Sequence, residues 1–372
     1  MKIIGIGIVA FLLVVLQRIV YEKMGHKNLK VTVSFAQKGI TEGETGEIIE
    51  VIENRKKLPL TMLKVKFQTS KDLEFAGENG STTTDQYYRN DIFQIGGGEK
   101  ITRKLTFCGK KRGYYHIKNI DLVVSDLFLT NEIIKSMTTE CYLYVYPKIF
   151  ESMELQDSLQ KLNGEIIVKR HMVEDPFEYR GIREYQPYDD IRSVNWKATA
   201  RTGSLKVNQQ NYTAMQTIRI FLNLEDEGVW KKYRQVEGAM QIVMGIASYF
   251  LSQGIKVACY ANGRDIITGE HVAIDGGAGV GQLDMIGKAL ARIDTKKEAR
   301  PFCKLFEEML MEDADGMFTF FVSPNGYHDF EQLLLKCSEK GMEFAWFYPV
   351  LPSDEPEAAE NLEKHLHIMK LQ

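Results

Sequence analysis

The sequence lacks the residue patterns on which most metal-dependent and nucleophilic catalysis depends. Its five cysteines include no CxxC pair, and none of its seven histidines lies in an HExxH motif. Neither a GxSxG sequence nor the Gly-Lys-Ser/Thr of a phosphate-binding loop is present. These absences leave zinc sites, serine hydrolases and nucleotide-dependent enzymes without a local signature. The odd number and wide spacing of the cysteines favour reduced thiols in a cytosol-like compartment over a disulfide framework.

The chain also lacks a strong excess of charge of either sign. It has 47 basic and 50 acidic residues, a net charge of -3, which gives no overall attraction to nucleic acid or to an anionic membrane surface. We therefore expect no nucleic-acid partner. The alternative, nucleic-acid binding through the basic residues of one segment, predicts binding that weakens steeply with salt. No motif indicates a cofactor or a small-molecule substrate.

One long apolar run stands at the amino terminus. Residues 3–16 carry no charge, and the apolar character resumes after Gln17 and Arg18 as far as Tyr21. With Arg18 reaching the lipid surface, about 19 residues are available, which is close to one bilayer span. The small-x-small site of a cleaved signal peptide does not follow. The lysine and arginine residues after the run predict a single-pass protein of the cell membrane, with the bulk of the chain in the cytoplasm.

Length and periodicity predict two folded domains after this anchor. The chain has 372 residues, 44% of them hydrophobic, enough for each domain to bury a core. Period-two alternation between turn residues predicts an antiparallel β-sandwich, and alternating strands and helices predict a doubly wound α/β domain. The expected fold class is thus α/β and β. The expected domains are a transmembrane anchor at 1–24, the β-sandwich at 28–150, a connector at 151–215 and the α/β domain at 216–372.

Two further segments of the α/β domain give local predictions. Ala358, Leu362 and Leu366 recur at helical spacing, which predicts a final amphipathic helix over 354–368. The glycine-rich run 276–281 precedes a helix without the register of a nucleotide-binding motif, so we expect a flexible loop there.

The connector holds the most distinctive segment of the chain, residues 177–206, where basic, acidic and aromatic residues are concentrated. Asp189 or Asp190 can cap a helix predicted over 191–201, and Gly203 is placed to end it. Lys197 and Arg201 are then expected near the carboxyl end of that helix, where cations are favoured.

Three interpretations of this segment remain open. The charges can pair internally, with Arg183 or Arg201 bidentate to Asp189, Asp190 or Glu184, which would clasp the connector onto the α/β domain. The segment can instead be a contact site for another protein, since Arg, Tyr and Trp are enriched at interface hot spots. A metal-dependent hydrolase using Asp189 and Asp190 is the third. The candidate interaction or structural residues are Arg183, Glu184, Tyr185, Pro187, Asp189, Asp190, Arg192, Trp196, Lys197 and Arg201.

The same segment resembles the signature of the bacterial DUF58 family. The matching residues are Arg183-Glu184-Tyr185, Pro187, Asp189-Asp190, Arg192, Asn195-Trp196-Lys197 and Ala200-Arg201. The resemblance implies a membrane-tethered protein whose carboxyl domain is similar to the von Willebrand factor A fold and whose partner is a MoxR-type AAA+ ATPase. It implies a non-enzymatic adaptor or assembly role and supplies no catalytic residues. The chain departs from the family in Tyr188, where a glycine is usual, in its single span, and in the turn after Asp126, which lacks the usual proline and glycine.

A metal site of the A-domain type can be tested directly against the sequence. Such a site needs Asp-x-Ser-x-Ser after the first strand, because hydroxyl and carboxylate oxygens suit Mg²⁺. Here the corresponding run is Asn223-Leu224-Glu225-Asp226-Glu227, which has no hydroxyl. We therefore expect no metal site, with Glu225 and Asp226 as the weak candidates. The same two residues, or Asp189 and Asp190, would serve the alternative function of a metal-dependent hydrolase.

Overall fold

The computed structural model describes residues 2–75, 81–83, 86–170, 179–187, 189–210, 217–226, 232–310, 317–352, 354 and 360–371. These residues divide into two compact units. The first unit contains residues 1–148 together with 265–269 and 287–294, and the second contains the remainder.

The first unit begins with a single long helix, α1 (Lys2–Met24). Its residues Ile4–Met24 form a helix of 21 residues that is long and apolar enough to span a membrane. Most of its large apolar side chains from Ile4 to Leu16 are exposed, as expected for a surface that faces lipid. Tyr21, in contrast, is buried and donates a hydrogen bond to the carbonyl of Pro59 at 2.9 Å.

Two β-sheets form the rest of the first unit. The four-stranded sheet has the order β1-β3-β8-β5 and the six-stranded sheet has the order β2-β10-β9-β4-β7-β6, with β2 and β10 parallel and the other neighbours antiparallel. The strands are β1 (Leu29–Phe35), β2 (Gly39–Thr41), β3 (Thr45–Asn54), β4 (Leu60–Ser70), β5 (Leu73–Phe75), β6 (Ser81–Thr83), β7 (Gln86–Ile95), β8 (Lys100–Gly109), β9 (Gly113–Ser125) and β10 (Glu132–Tyr146).

Apolar residues of both sheets make one core. Along β3, burial alternates strictly, so that Ile48 and Ile52 point inward while their neighbours are partly exposed. They pack in the same cluster as Phe107 of β8 and as Val65 and Leu143 of the larger sheet. The period-two pattern of the sequence therefore has its expected cause, one buried face per strand.

The second unit contains a two-stranded sheet, a six-stranded sheet and six α-helices among its described residues, although the last turns of α5 group with the first unit. Its elements are α2 (Met153–Arg170), β11 (Tyr179–Glu184), α3 (Trp196–Thr202), β12 (Lys206–Gln210), β13 (Thr217–Leu222), α4 (Tyr233–Ser252), β14 (Lys256–Arg264), β15 (His271–Gly277), α5 (Val280–Ala291), α6 (Phe302–Leu310), β16 (Thr319–Val322), α7 (His328–Glu339), β17 (Phe344–Val350) and β18 (Leu366–Lys370).

The six-stranded sheet has helices on both faces. Its order is β15-β14-β13-β16-β17-β18, with parallel neighbours except for β15 at one edge. Successive residues of β16 point to opposite faces. The ring centroid of Phe320 lies 5.1 Å from that of Phe250 in α4, and the ring centroid of Phe321 lies 5.3 Å from that of Phe306 in α6. Because both faces are covered, the central strands are buried throughout, which explains their continuous apolar sequence.

Two sequence predictions for this unit need correction. The helix predicted over 354–368 is absent from its described part, where a short 3₁₀-helix (Glu360–Leu362) leads into β18. β18 pairs in parallel with β17 from Trp346 to Val350, so backbone hydrogen bonds of the open sheet edge override the helical spacing. The glycine run predicted as a loop is partly strand, since β15 ends at Gly277 and only Gly279 adopts the left-handed conformation of a turn.

A cluster of charged residues lies inside the first unit. Glu50 of β3 is fully buried, and neither of its carboxylate oxygens has a hydrogen-bond partner. Close by, Arg89 forms a bidentate pair with Asp91, with N–O distances of 3.0 and 2.9 Å, and Arg103 reaches Asp91 at 3.1 Å. Desolvation, and then the charge of Asp91, raise the pKa of Glu50 to about 7.

This pKa predicts that the protein loses stability as pH rises. Glu50 ionises at an ordinary pKa of 4.5 in the unfolded chain but at about 7 in the folded one, so the folded state binds more protons between these values. We expect Glu50→Gln to raise the free energy of unfolding by up to about 3 kcal/mol at pH 8 and to change it little near pH 4.5. Hydrogen exchange of the β3 and β8 amides in the full chain measures this difference.

The control is Glu47→Gln on the same strand, since Glu47 is partly exposed beside Lys104. A gain for Glu50→Gln that is equal at both pH values would contradict the assignment.

Candidate interaction site in the hairpin segment

The distinctive segment is built as an excursion between two paired strands. β11 and β12 are antiparallel, with Arg183 opposite Val207 and Glu184 opposite Lys206. Residues 185–205 therefore connect the two strands at one end of the hairpin, and we call them the excursion. The backbone N–H of Tyr185 donates to the carbonyl of Leu205 at 3.0 Å, which continues the pairing one step into the excursion.

A bidentate ion pair closes the first part of the excursion. Both terminal nitrogens of Arg183 donate to the two oxygens of Asp189, at 2.6 Å each. The backbone N–H of Gln186 donates to the same carboxylate at 2.7 Å. The hydrogen bonds from Arg183 lower the pKa of Asp189, against a smaller rise from desolvation. The predicted bidentate pairing is thus confirmed for Arg183, with Asp189 as its partner.

Asp190 has a different role from Asp189. It precedes a short 3₁₀-helix (Ile191–Ser193), and its side chain accepts from the backbone N–H of Arg192 at 3.0 Å. The capping role predicted for an aspartate is therefore confirmed for Asp190. The two carboxylates consequently serve an arginine and a helix end, respectively.

The helix predicted over 191–201 is wrong at its start. After the 3₁₀-helix the chain is extended at Val194, which is buried and bridges to Val207 of β12. A second helix, α3, begins only at Trp196. Lys197 therefore lies in the first turn and not near the carboxyl end, whereas Arg201 is in the last turn as predicted. Ile191, at the start of the 3₁₀-helix, is 67% exposed.

Uncharged polar residues that the sequence reasoning passed over hold α3 in place. Asn195 accepts from the backbone N–H of Ala198 at 2.9 Å, which caps the helix, and donates to the side chain of Asn208 at 2.7 Å. Thr199 accepts from the backbone N–H of Lys206 at 3.0 Å. Gly203 ends the helix with φ +71 and bonds back to Thr199, as predicted. Asn195 just before an alanine-containing helix was a readable capping signal.

The remaining candidate residues divide by exposure. Glu184 is mostly exposed and pairs with Lys206 at 3.0 Å. Tyr185 is half-buried, Pro187 is exposed, and Tyr188 lies outside the described residues.

Five exposed residues of the excursion remain after these pairings, and we call them together the contact face: Ile191, Arg192, Trp196, Lys197 and Arg201. Trp196 is 64% exposed. Within the part of the chain that the structure describes, Arg192, Lys197 and Arg201 have neither an ion pair nor a side-chain hydrogen bond. The contact face therefore combines a large aromatic ring with three available cations.

A second cluster lies at the carboxyl ends of the parallel strands, where ligands of open α/β sheets usually bind. There Asn223 donates to the Ser323 hydroxyl at 3.2 Å and accepts from Asn262 at 3.0 Å. Asn262 also accepts from the backbone N–H of Leu224 at 2.7 Å, and Asn325 donates to the carbonyl of Glu225. Amide and hydroxyl groups thus join three strand ends directly.

The two weak metal candidates are engaged in this cluster. Glu225 accepts from the backbone N–H of Phe302 at 3.2 Å, at the start of α6. Asp226 accepts from the Tyr327 hydroxyl and from the backbone N–H of Lys232, both at 3.1 Å. Among the described residues, no group of three His, Cys, Asp or Glu side chains is suited to hold a metal ion.

Comparison with known proteins identifies the segment. Residues 181–269 match the family described as "Protein of unknown function DUF58". The match is confined to this part of the chain. It begins within β11 and continues through β14, so it includes the hairpin, its excursion and the first strands of the six-stranded sheet. The family description itself assigns no activity to this region.

No curated protein matches the chain. Among solved structures, a CARDB domain from Pyrococcus furiosus, in complex with di-metal ions, is 15% identical over 32% of this chain and 91% of its own, with a TM-score of 0.20. A non-cellulosomal cohesin from Archaeoglobus fulgidus is 14% identical over 35% of this chain and 97% of its own, with a TM-score of 0.23. The sporulation control protein Spo0M from Bacillus subtilis is 13% identical over 43% of this chain and 58% of its own, with a TM-score of 0.20. Likenesses at these scores carry no argument about function.

Removing the Arg183–Asp189 pair should loosen the excursion. In Asp189→Asn, the carboxylate that accepts from Arg183 and Gln186 is lost, so we expect faster hydrogen exchange at Gln186 and along β11 and β12. In the unsubstituted chain, the lowered pKa of Asp189 means that the pair stabilises the fold above about pH 4 and is lost as pH falls through the folded pKa. The substituted chain should lack this acid-dependent step.

Glu184→Gln is the matched control, because its pair with Lys206 is exposed and contributes little. Equal exchange rates in the two variants would show that the Arg183–Asp189 pair does not hold the excursion.

Proposed function

We propose that this protein is a membrane-tethered, non-enzymatic adaptor that binds a protein partner through its contact face. The observation that carries the proposal is the exposure of Trp196 in a segment whose Arg192, Lys197 and Arg201 are also exposed and have no partner among the described residues. An exposed tryptophan and unpaired arginines within one short segment have the composition of an interface hot spot. Arg183 and Asp189, which are consumed in their own pair, act as its scaffold.

The contact face is suited to an acidic partner surface with an apolar pocket. Trp196 offers the largest apolar side chain and an indole N–H donor. Lys197 and Arg201 are four residues apart on α3, so they lie on one side of the helix. Carboxylates around a pocket for the indole ring would complement these three cations and speed association.

The DUF58 resemblance suggests the partner and the setting. We propose a MoxR-type AAA+ ATPase as the partner, and α1 as a single membrane anchor with the bulk of the chain in the cytoplasm. The excess of lysine and arginine after the apolar run supports this orientation. The strand order of the six-stranded sheet, with one antiparallel edge strand, is compatible with the von Willebrand factor A-like domain that the same resemblance suggests.

Substitution of Trp196 tests the contact face. The full-length protein in detergent micelles is titrated against the MoxR-type ATPase encoded in the same genome. We expect Trp196→Ala to weaken binding by roughly thirtyfold, the effect of losing a hot-spot side chain of about 2 kcal/mol. Arg201→Ala should weaken it less and should reduce its dependence on salt.

Val280→Ala is the matched control, because Val280 is 86% exposed at the start of α5. Absence of binding by the unsubstituted protein would reject the ATPase as partner. Binding that survives both Trp196→Ala and Arg201→Ala would reject the contact face.

The engaged carboxylates near the sheet end give a separate test against the hydrolase. Glu225 and Asp226 already accept hydrogen bonds, so we expect Mg²⁺ or Mn²⁺ to leave the thermal unfolding midpoint unchanged. An increase in that midpoint that disappears in Glu225→Ala and Asp226→Ala would favour a metal-dependent enzyme.

A further inference from the structure

A second apolar surface lies outside the contact face, in the turn that joins β9 to β10. Leu127, Phe128 and Leu129 are 47%, 56% and 54% exposed. Among the described residues outside α1, three consecutive exposed large apolar side chains occur only here. Single exposed apolar residues are ordinary on protein surfaces, but a contiguous group indicates a surface that contacts something.

The turn is held firmly from inside. Asp126 is fully buried and accepts from the backbone N–H of Thr130 at 2.7 Å and from its hydroxyl at 2.6 Å. The backbone N–H of Leu129 donates to the carbonyl of Asp126 at 3.1 Å. Leu129 has φ +58, a conformation that disfavours a leucine and suits glycine or asparagine. A leucine is therefore kept, exposed and strained, where folding alone would select another residue.

The position of the turn identifies what covers it. The side-chain N–H of Gln17 in α1 donates to Asp126 at 3.1 Å, and the backbone N–H of Leu127 donates to the side-chain oxygen of Gln17 at 3.2 Å. These two bonds hold the turn against the helix immediately after its uncharged run. Tyr21, one helical turn further on, is buried in the unit, so most of the exposed apolar surface of α1 precedes Gln17.

The end of the uncharged run sets the depth of the turn. Residues 3–16 carry no charge and Gln17 follows them directly, so a bilayer that surrounds the run ends near Gln17. The turn that bonds Gln17 therefore lies at the level of the membrane surface. Polar side chains at that level would lose their hydration, which apolar ones avoid.

We propose that Leu127, Phe128 and Leu129 form a membrane-inserted turn that seats the first unit on the bilayer beside α1. The proposal rests on α1 crossing the membrane and is independent of the contact face. The lipid bilayer is the occupant because the turn is continuous with the exposed apolar surface of α1 through Gln17.

A fluorescent probe in the full-length protein tests the insertion. Phe128→Cys, made with Cys108→Ser and Cys303→Ser to remove the two partly exposed native thiols, is labelled with an NBD fluorophore and reconstituted into phosphatidylcholine and phosphatidylglycerol vesicles. We expect blue-shifted emission and strong quenching by lipids that carry a nitroxide near the headgroup. Leu127→Cys provides a second site for the same measurement should the first variant fold poorly.

Thr45→Cys is the control in the same unit. The pairing of Leu29 with Asn54 places that end of β3 next to the end of α1, and Thr45 is exposed at the other end of the strand, about 30 Å away. Its label should emit as in water and should be quenched by aqueous iodide.

A label at position 128 that behaves like the one at 45 would overturn the proposal. Blue-shifted emission without lipid quenching would also overturn it, because protein and not lipid would then cover the turn. Leu12→Cys separates the causes: quenching there by deep nitroxide lipids, without quenching at 128, would reject the turn while leaving the anchor intact.

Discussion

The bidentate pair between Arg183 and Asp189 is the interaction on which the candidate site depends. A bidentate pair restricts how the guanidinium and the carboxylate are oriented, so it constrains the direction of the chain as well as holding it. Here it closes the excursion directly after β11, and the capping by Asp190 follows from that placement. The ion pair and the cap together fix the part of the excursion that precedes α3 and its exposed side chains.

The arginines of this segment differ in whether they form an ion pair. Residues that share a sign and a neighbourhood in the sequence have separate uses: Arg183 is committed to Asp189, whereas Arg192 and Arg201 are unpaired among the described residues. Val194 and Val207, which form a bridge between the excursion and β12, are both buried. A conformation held from within leaves its outer side chains available for recognition at little further loss of entropy.

The sequence was most informative where one face of an element decides its structure. The alternation of strands and helices from β13 to β17 was predicted, because buried strands and amphipathic helices carry strong periodic signals. The helix α2 was overlooked although Leu155, Leu159, Leu162 and Ile166 recur on one face and are buried.

The predictions that failed depended on contacts distant in sequence. Residues 191–201 have helical composition, yet Val194 pairs with a strand that begins only after the predicted helix ends. The predicted final helix has the same cause of failure, since β17 offered an unpaired edge to β18. In the candidate site, the partner of Arg183 could be named as one of a few carboxylates, but the choice of Asp189 required the three-dimensional path of the turn.

The antiparallel pairing of Glu184 with Lys206 means that the excursion starts and finishes side by side. Its two ends are fixed by backbone hydrogen bonds that do not depend on which side chains lie between them. Relatives could therefore lengthen, shorten or rewrite residues 185–205 without shifting the register of either strand. The sequence of the proposed contact face can therefore change independently of the fold that carries it.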